Sequence, residues 1–215
     1  MIPLRDHNPS RKFPLLTHLL IFLNVSVFLY MNFLSKEELK EFFYSFALTP
    51  ALVLVGKNLH SFFSSMFLHG SFGHLFGNML FLNIFGDNLE AKFGKIKYLI
   101  FYFFCGILAS LSEILLHPFS EIPMLGASGA IAGLMGGYLY LFPKHKIDVL
   151  FSFGWYFRII SLPAWTMIIY WFFFQLLYGV GSLALPYLGG VAYFAHIGGF
   201  LAGFLLTKLW KKKWF

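Results

Sequence analysis

Charged residues are scarce along this chain, and their scarcity excludes most soluble folds. Only 12% of the 215 residues are Asp, Glu, Lys or Arg, whereas 59% are hydrophobic. A soluble domain carries about twice that charged share. The segment Leu15–Leu34 runs for 20 residues without a formal charge, which is about the length that a helix needs to cross a bilayer. We therefore predict a polytopic membrane protein.

A second cysteine, an HExxH metal-binding motif and paired intramembrane aspartates are also lacking. The single cysteine, Cys105, has no partner for an internal disulfide and is predicted to be a packed core thiol. No HExxH motif occurs, so we expect no metal and no other cofactor. Only Asp87, near the end of an apolar segment, is a candidate for aspartyl chemistry, which requires two such residues. The net charge of +7 does not indicate nucleic-acid binding, because the positive residues cluster at the ends of apolar segments.

The lengths of the apolar segments, read against charges and Pro/Gly breaks, predict an all-α bundle of six membrane spans. The predicted spans are residues 15–34, 72–90, 96–116, 127–142, 162–182 and 194–210. Thirteen of the 16 Lys and Arg precede the first span or follow the second, fourth and sixth. The positive-inside rule then places both termini in the cytoplasm. We expect one membrane domain, residues 15–210, between cytoplasmic flanks at 1–14 and 211–215.

Three short polar islands with four side chains of interest lie inside these apolar segments, where a polar group needs a specific role. The four side chains are Ser128, His74, Asn78 and His196. Counted from the cytoplasmic ends of their spans, Ser128 lies roughly 22 Å up, His74 about 24 Å, and the other two about 18 Å. In a hydrocarbon core about 30 Å thick, all four fall in the outer half at similar depth. This agreement predicts one shared site.

Small residues indicate which spans touch. They repeat every four residues on two spans, as Gly129, Gly133 and Gly137 on the fourth and as Ala195, Gly199 and Gly203 on the sixth. Such faces allow helix backbones to approach closely in lipid. We predict that these two spans pack together, with Ser128 and His196 at the top of the contact.

A serine and a histidine at one depth predict nucleophilic catalysis. His196 could take the hydroxyl proton of Ser128, and the backbone N–H of Ser128, at a helix start, could stabilise an oxyanion. His74 and Asn78 lie four residues apart on one helix face and could add donors. Two other functions stay open: a transporter with these groups along a polar path, and a non-catalytic scaffold that binds transmembrane helices.

The motifs around these residues resemble the rhomboid family of intramembrane serine proteases. The matching motifs are HGSFGHLFGN at 69–78, GASG at 126–129 and AHIGG at 195–199. Glu90 followed by Gly94 also fits the family, and the opening PLRD at residues 3–6 is similar to that of bacterial six-span members. GxSG alone is common by chance, but three motifs in this order on the expected spans are specific.

The resemblance implies a six-span rhomboid-like fold and a role for each matching residue. Ser128 would be the nucleophile and His196 the general base, as a dyad without a carboxylate. His74, Asn78 and the Ser128 amide would form the oxyanion hole. His69 would tie the first external loop to the second span. Structural support is implied for His69, Gly126, Gly129 and Gly199.

The chain departs from the family pattern at two places. Some members carry an aromatic residue four positions after the serine, where it stacks on the histidine. That position is Ala132 here, so His196 must be oriented in another way. The Trp-Arg pair often found in the first external loop is missing.

The resemblance also implies partners and a location. Substrates would be transmembrane proteins cut near the outer membrane face, with the fifth span and the loop 183–193 as gate and cap. Membrane lipids are the other expected partners, with no nucleic acid and no metal. We expect an integral multi-pass protein of the bacterial cytoplasmic membrane.

Overall fold

The computed structural model describes residues 1–10, 12–153, 155–184 and 190–214, which fold mainly into α-helices. The helices are α1 (Leu15–Met31), α2 (Lys36–Phe46), α3 (Pro50–Leu54), α4 (Ser61–Ser64), α5 (Phe72–Phe93), α6 (Lys95–Leu116), α7 (Ser128–Leu141), α8 (Ala164–Ala184) and α9 (Tyr193–Trp214). The strands are β1 (Ile2–Asp6), β2 (Lys146–Phe153) and β3 (Tyr156–Pro163). Parts of the predicted cap loop 183–193 and of the flank 211–215, namely residues 185–189 and Phe215, lie outside the described residues.

Six of these helices, α1 and α5 to α9, coincide closely with the six predicted apolar segments. Among the described residues, two helices are long and apolar enough to cross a membrane by length and composition: α6 and the Ala164–Leu183 part of α8. Helix α1 is a shorter apolar helix, and α7 has only 14 residues, or about 21 Å. Helix α5 is less apolar because it carries residues such as His74 and Asp87. Six crossings with both termini in the cytoplasm therefore stay a prediction.

Helix α7 lies at the centre of the bundle. Every residue from Ala130 to Tyr138 is buried, and α5, α6, α8 and α9 all pack against the helix. Its glycine face meets that of α9, as predicted: a methyl group on Gly199 would collide with the carbonyl oxygen of Gly129, and one on Gly203 with that of Gly133. This backbone contact sets the distance between the two helices that carry the serine and histidine of the predicted site.

A single methyl group tests the contact between α7 and α9. Gly199→Ala is expected to lower the free energy of unfolding by at least about 2 kcal/mol, because the backbone of α7 leaves no room for it. The matched control is Gly181→Ala, at an exposed glycine of α8 with open space around it, where alanine favours the helix by up to about 1 kcal/mol. Thermal unfolding of both variants in detergent measures the difference, and equal stability would contradict the close packing.

The expectation of an all-α fold is wrong, because three strands form an antiparallel sheet in the order β1-β2-β3. Strand β1 lies in the expected N-terminal flank and pairs with β2, with Asp6 opposite Ile147. Strands β2 and β3 form a hairpin between α7 and α8. Alternate side chains of a strand point to opposite faces. Ile147 and Val149 accordingly join the helical core, whereas Asp148 meets polar partners.

Asp6 joins this sheet to two helices. Its Oδ2 accepts a hydrogen bond from Asn88 Nδ2 of α5 at 2.7 Å and from the Tyr138 hydroxyl of α7 at 2.5 Å. Asp6 itself is buried, so both contacts are shielded from water and correspondingly strong. The N-terminal strand is therefore packed into the fold.

Glu90 of α5 holds the start of α1. Its carboxylate oxygens accept the backbone N–H groups of Leu16 at 3.0 Å and Thr17 at 2.8 Å, and the Thr17 hydroxyl at 2.9 Å. These N–H groups have no acceptor within their own helix. Four residues after Glu90, Gly94 ends α5 with φ +76°, a conformation that glycine adopts without strain. The Glu90–Gly94 pair thus fixes how α1 docks on α5.

Acidification tests the sheet. Hydrogen bonds from Ser161, His7 and Arg5 hold the pKa of Asp148 well below its usual range. The stabilisation by this carboxylate is therefore present above the unfolded pKa of about 4 and is lost as the pH falls toward the lower folded pKa. Asp148→Asn should unfold at a lower temperature than the wild type at pH 7, and the difference should narrow below about pH 4.

The control for Asp148→Asn is Glu37→Gln, on the exposed face of α2. This variant should unfold like the wild type at pH 7. The role given to the carboxylate charge would be contradicted if the difference in unfolding temperature between Asp148→Asn and the wild type stayed constant from neutral to acidic pH.

Candidate active site

A constrained turn leads the chain into α7. Gly126 has φ +116°, and a Cβ atom there would lie 2.7 Å from His74 Nε2, so both the backbone conformation and the space require glycine. Its N–H donates to the Ser65 carbonyl at 2.9 Å. Ser128 is then the first residue of α7, in the turn where backbone N–H groups lack helical acceptors.

Ser128 and His196, from α7 and α9, are in direct contact. Ser128 Oγ lies 2.7 Å from His196 Nε2. The other ring nitrogen, Nδ1, lies 2.7 Å from Oε1 of Gln175 on α8. A neutral imidazole has one donor and one acceptor nitrogen. An acceptor at Nε2 and a donor at Nδ1 satisfy both contacts, and this is the protonation form that can take a proton from the serine.

His74 and Asn78 lie on the α5 face that meets the Ser128 turn. A Cβ atom on Gly126 would lie 2.7 Å from His74 Nε2 and 3.8 Å from Ser128 Oγ, so His74 and the serine flank the same glycine. Asn78 is buried, and its Nδ2 donates to the His74 carbonyl at 2.9 Å. A side-chain amide nitrogen has two donors, so one N–H of Asn78 stays available.

His69 lies behind His74. Its ring is almost fully buried and packs edge-on against the ring of His74, with centroids 5.0 Å apart. Burial, reinforced by the nearby His74, lowers the pKa of His69 to about 4. The residue is therefore neutral at pH 7, and it links the loop before α5 to α5 by packing rather than by charge.

A cavity of about 1080 Å³ connects these groups. It is lined by His74, Asn78, Gly126, Ser128, Ala132 and His196. The cavity also reaches Glu113 and His117 at the end of α6 and Trp171 on α8. Among the described residues, no group of three or more His, Cys, Asp and Glu is placed to hold a metal ion.

Helix α8 supplies the contacts that surround the His196 ring. Ala132 is buried and presents no ring to it. The indole of Trp171 instead lies 5.8 Å from the imidazole, centroid to centroid, one helical turn before Gln175. Sequence reasoning missed Gln175, although the available signal was simple: it is the one glutamine of the whole sequence, and it lies in an apolar segment.

Glu113 of α6 is a second residue that sequence reasoning did not assign to the site. It is buried, and its Oε2 accepts the backbone N–H of Ala195 at 3.0 Å. Its Oε1 lies 2.7 Å from Nδ1 of His117. A carboxylate at the start of a helix satisfies a free N–H and interacts favourably with the helix dipole. Glu113 thus fixes the first turn of α9, one residue before His196.

Comparison with known proteins identifies the class. The profile of the rhomboid domain matches residues 56–213, and the chain therefore belongs to the rhomboid family of membrane proteins. It is 34% identical to Rhomboid protein 1, mitochondrial, of Saccharomyces cerevisiae over 67% of this chain and 40% of that protein. It is 35% identical to RHOMBOID-like protein 4 of Arabidopsis thaliana over 66% of this chain and 32% of that protein.

A bacterial relative is also similar. The putative rhomboid protease YdcA of Bacillus subtilis is 36% identical over 34% of this chain and 37% of that protein. In each of these three matches the aligned region spans only about a third to two fifths of the relative's length.

The contact between Glu113 and α9 is testable by its effect on stability. Glu113→Ala should lower the free energy of unfolding by about 1–3 kcal/mol, because it leaves the buried Ala195 N–H without its charged acceptor. Glu113→Gln should lower the free energy of unfolding by less, since an amide oxygen still accepts a hydrogen bond. Glu121→Ala, at an exposed residue before α7, is the control for thermal unfolding. A wild-type midpoint for Glu113→Ala would show that the carboxylate does not support α9.

Proposed function

We propose that this chain is an intramembrane serine endopeptidase that cuts transmembrane substrates with a Ser128–His196 dyad. The observation that carries the proposal is the 2.7 Å separation between Ser128 Oγ and His196 Nε2. This contact joins a nucleophile to a base across two helices, at the edge of a cavity. Membership of the rhomboid family, together with a bacterial relative named as a putative rhomboid protease, supports the same reaction class.

The reaction begins when His196 Nε2 takes the hydroxyl proton as Ser128 Oγ attacks the carbonyl carbon of the scissile bond. Negative charge then develops on the carbonyl oxygen. We assign the Ser128 N–H, His74 and the Asn78 amide as donors to this oxygen, because the three residues line the same cavity and such donors stabilise the tetrahedral intermediate.

The intermediate collapses when the C–N bond breaks and His196 gives its proton to the leaving amine. An acyl-enzyme on Ser128 remains. A water molecule then loses a proton to His196 and attacks the ester carbon, which releases the acid product and restores the serine hydroxyl. The two half-reactions use the same base and the same oxyanion donors.

The cavity supports access of a peptide segment and water to this serine. Its volume of about 1080 Å³ is at the upper end of ordinary ligand sites. We propose that an unwound part of a transmembrane substrate occupies it, with α8 as the movable side. The resemblance implies that the substrate carries small residues before the cut and helix-weakening residues after it.

The proposed setting is a membrane crossed by all six long helices, with both termini in the cytoplasm. The distribution of Lys and Arg supports this orientation. The bacterial relative supports the cytoplasmic membrane of a bacterium as the location. Transmembrane proteins and lipids are the proposed partners.

An activity-based probe tests the proposal. A fluorophosphonate forms a covalent bond with a serine that is activated by a base, so wild-type protein in detergent should be labelled. Ser128→Ala should abolish labelling because the attacking oxygen is gone. His196→Ala should slow labelling by about 10²-fold or more because it removes the general base.

Ser110→Ala is the matched control, because Ser110 is a buried serine of α6 that lines the same cavity. It should be labelled like the wild type. Labelling that persists in Ser128→Ala would refute the proposed nucleophile. Absence of labelling from folded wild-type protein would favour the alternatives, a helix-binding scaffold or a transporter.

A further inference from the structure

The amide of Gln175 stands in an apolar helix. Its neighbours along α8 are Phe172, Phe173 and Phe174 on one side and Leu176 on the other, and α8 has no charged residue. Placing an amide in such a segment is unfavourable unless its polar atoms are paired. The partner is specific: Gln175 Oε1 lies 2.7 Å from His196 Nδ1.

This contact determines which ring nitrogen carries the proton. The amide oxygen only accepts, so Nδ1 must donate, and Nε2 is left with its lone pair directed at the Ser128 hydroxyl 2.7 Å away. A general base for this serine needs that form, because the opposite one would place a proton on the nitrogen that must accept it. The amide also limits rotation of the ring about its side-chain bonds.

The structure assigns to Gln175 the role of positioning residue for His196, so that the functional unit is Ser128–His196–Gln175. This inference rests on the proposed protease function and adds a residue to it. The amide occupies the place that a carboxylate has in serine triads, but it stabilises the imidazolium less because it carries no charge.

Among the described residues, the other groups near the ring do not provide this acceptor. Ala132 offers only a methyl group, and Trp171 offers a ring face and an N–H donor. The other ionisable residues in the described lining of the cavity are His74, Glu113 and His117. Both carboxylate oxygens of Glu113 are already bound, to Ala195 and His117. Gln175 is therefore the acceptor on which the His196 tautomer depends.

Two variants of nearly equal volume separate positioning from packing. Gln175→Leu keeps the bulk and removes the acceptor, whereas Gln175→Glu keeps both the bulk and an acceptor oxygen. The control is Leu177→Ala, at an outward-facing residue of α8 that is 52% exposed, which reports on general damage to the helix. The two readouts are the rate of fluorophosphonate labelling and the ¹⁵N NMR signals of His196, assigned by their loss in His196→Ala.

In the wild type, Nδ1 should give the signal of a protonated nitrogen and Nε2 that of an unprotonated one. Gln175→Leu should move the ring toward the opposite tautomer and slow labelling by at least about tenfold. Gln175→Glu should be labelled at a rate well above that of the leucine variant. Leu177→Ala should be labelled at the wild-type rate.

The inference is overturned if Gln175→Leu is labelled at the wild-type rate with unchanged ¹⁵N signals, while the protease proposal survives. The inference is also overturned if the leucine and glutamate variants lose the same fraction of the labelling rate while the tautomer of His196 is unchanged. Gln175 would then act only through packing. A folded wild type that is never labelled defeats the protease proposal instead, and the NMR comparison distinguishes that case because it needs no turnover.

Discussion

The close contact between α7 and α9 is the constraint on which the rest of this structure depends. Gly129 and Gly133 on one helix and Gly199 and Gly203 on the other let carbonyl oxygens approach the facing backbone. In lipid, the hydrophobic effect does not drive helices to associate. Close van der Waals packing between helices therefore has to stabilise the bundle. A Ser hydroxyl on one helix can touch a His ring on the other only because no side chain separates the two backbones.

Carboxylates at helix starts fix the remaining geometry. Glu90 holds the first turn of α1, and Glu113 holds the first turn of α9. Each carboxylate comes from a neighbouring helix and binds backbone N–H groups that would otherwise be unsatisfied, which is costly in a membrane. Asp6 performs a related task at the sheet by joining β1 to α5 and α7. The few acidic residues of the chain are thus used mainly to join elements.

The helices and the residues of the candidate site could be predicted because both leave local signals. Apolar length gives each of the six long helices, and the rise per residue gives the depth at which Ser128 and His196 meet. The sheet left a weaker signal. No element was predicted for residues 146–161, between the fourth and fifth spans, although Ile147, Asp148 and Val149 alternate as a strand does. Pairing of Asp6 with Ile147 spans most of the chain, and no local pattern contains it.

Gln175 was missed for a different reason. The resemblance implied that Ala132 leaves His196 without the aromatic neighbour of some family members, but the sequence did not show which helix compensates. The answer depends on the rotation of α8, which places Gln175 and Trp171 on the side that faces α9. The helical period shows which residues share one face of α8, but only tertiary packing decides which neighbouring helix that face contacts.

The position of α8 is therefore linked to the state of the base. This helix packs mainly on α9, with smaller and similar contacts to α7, β2 and β3, and many of its side chains are exposed. In the proposed protease, movement of α8 away from α9 would take the Gln175 oxygen away from Nδ1, and the tautomer of His196 would no longer be fixed. Catalysis by the proposed dyad would then require α8 to return to its place against α9.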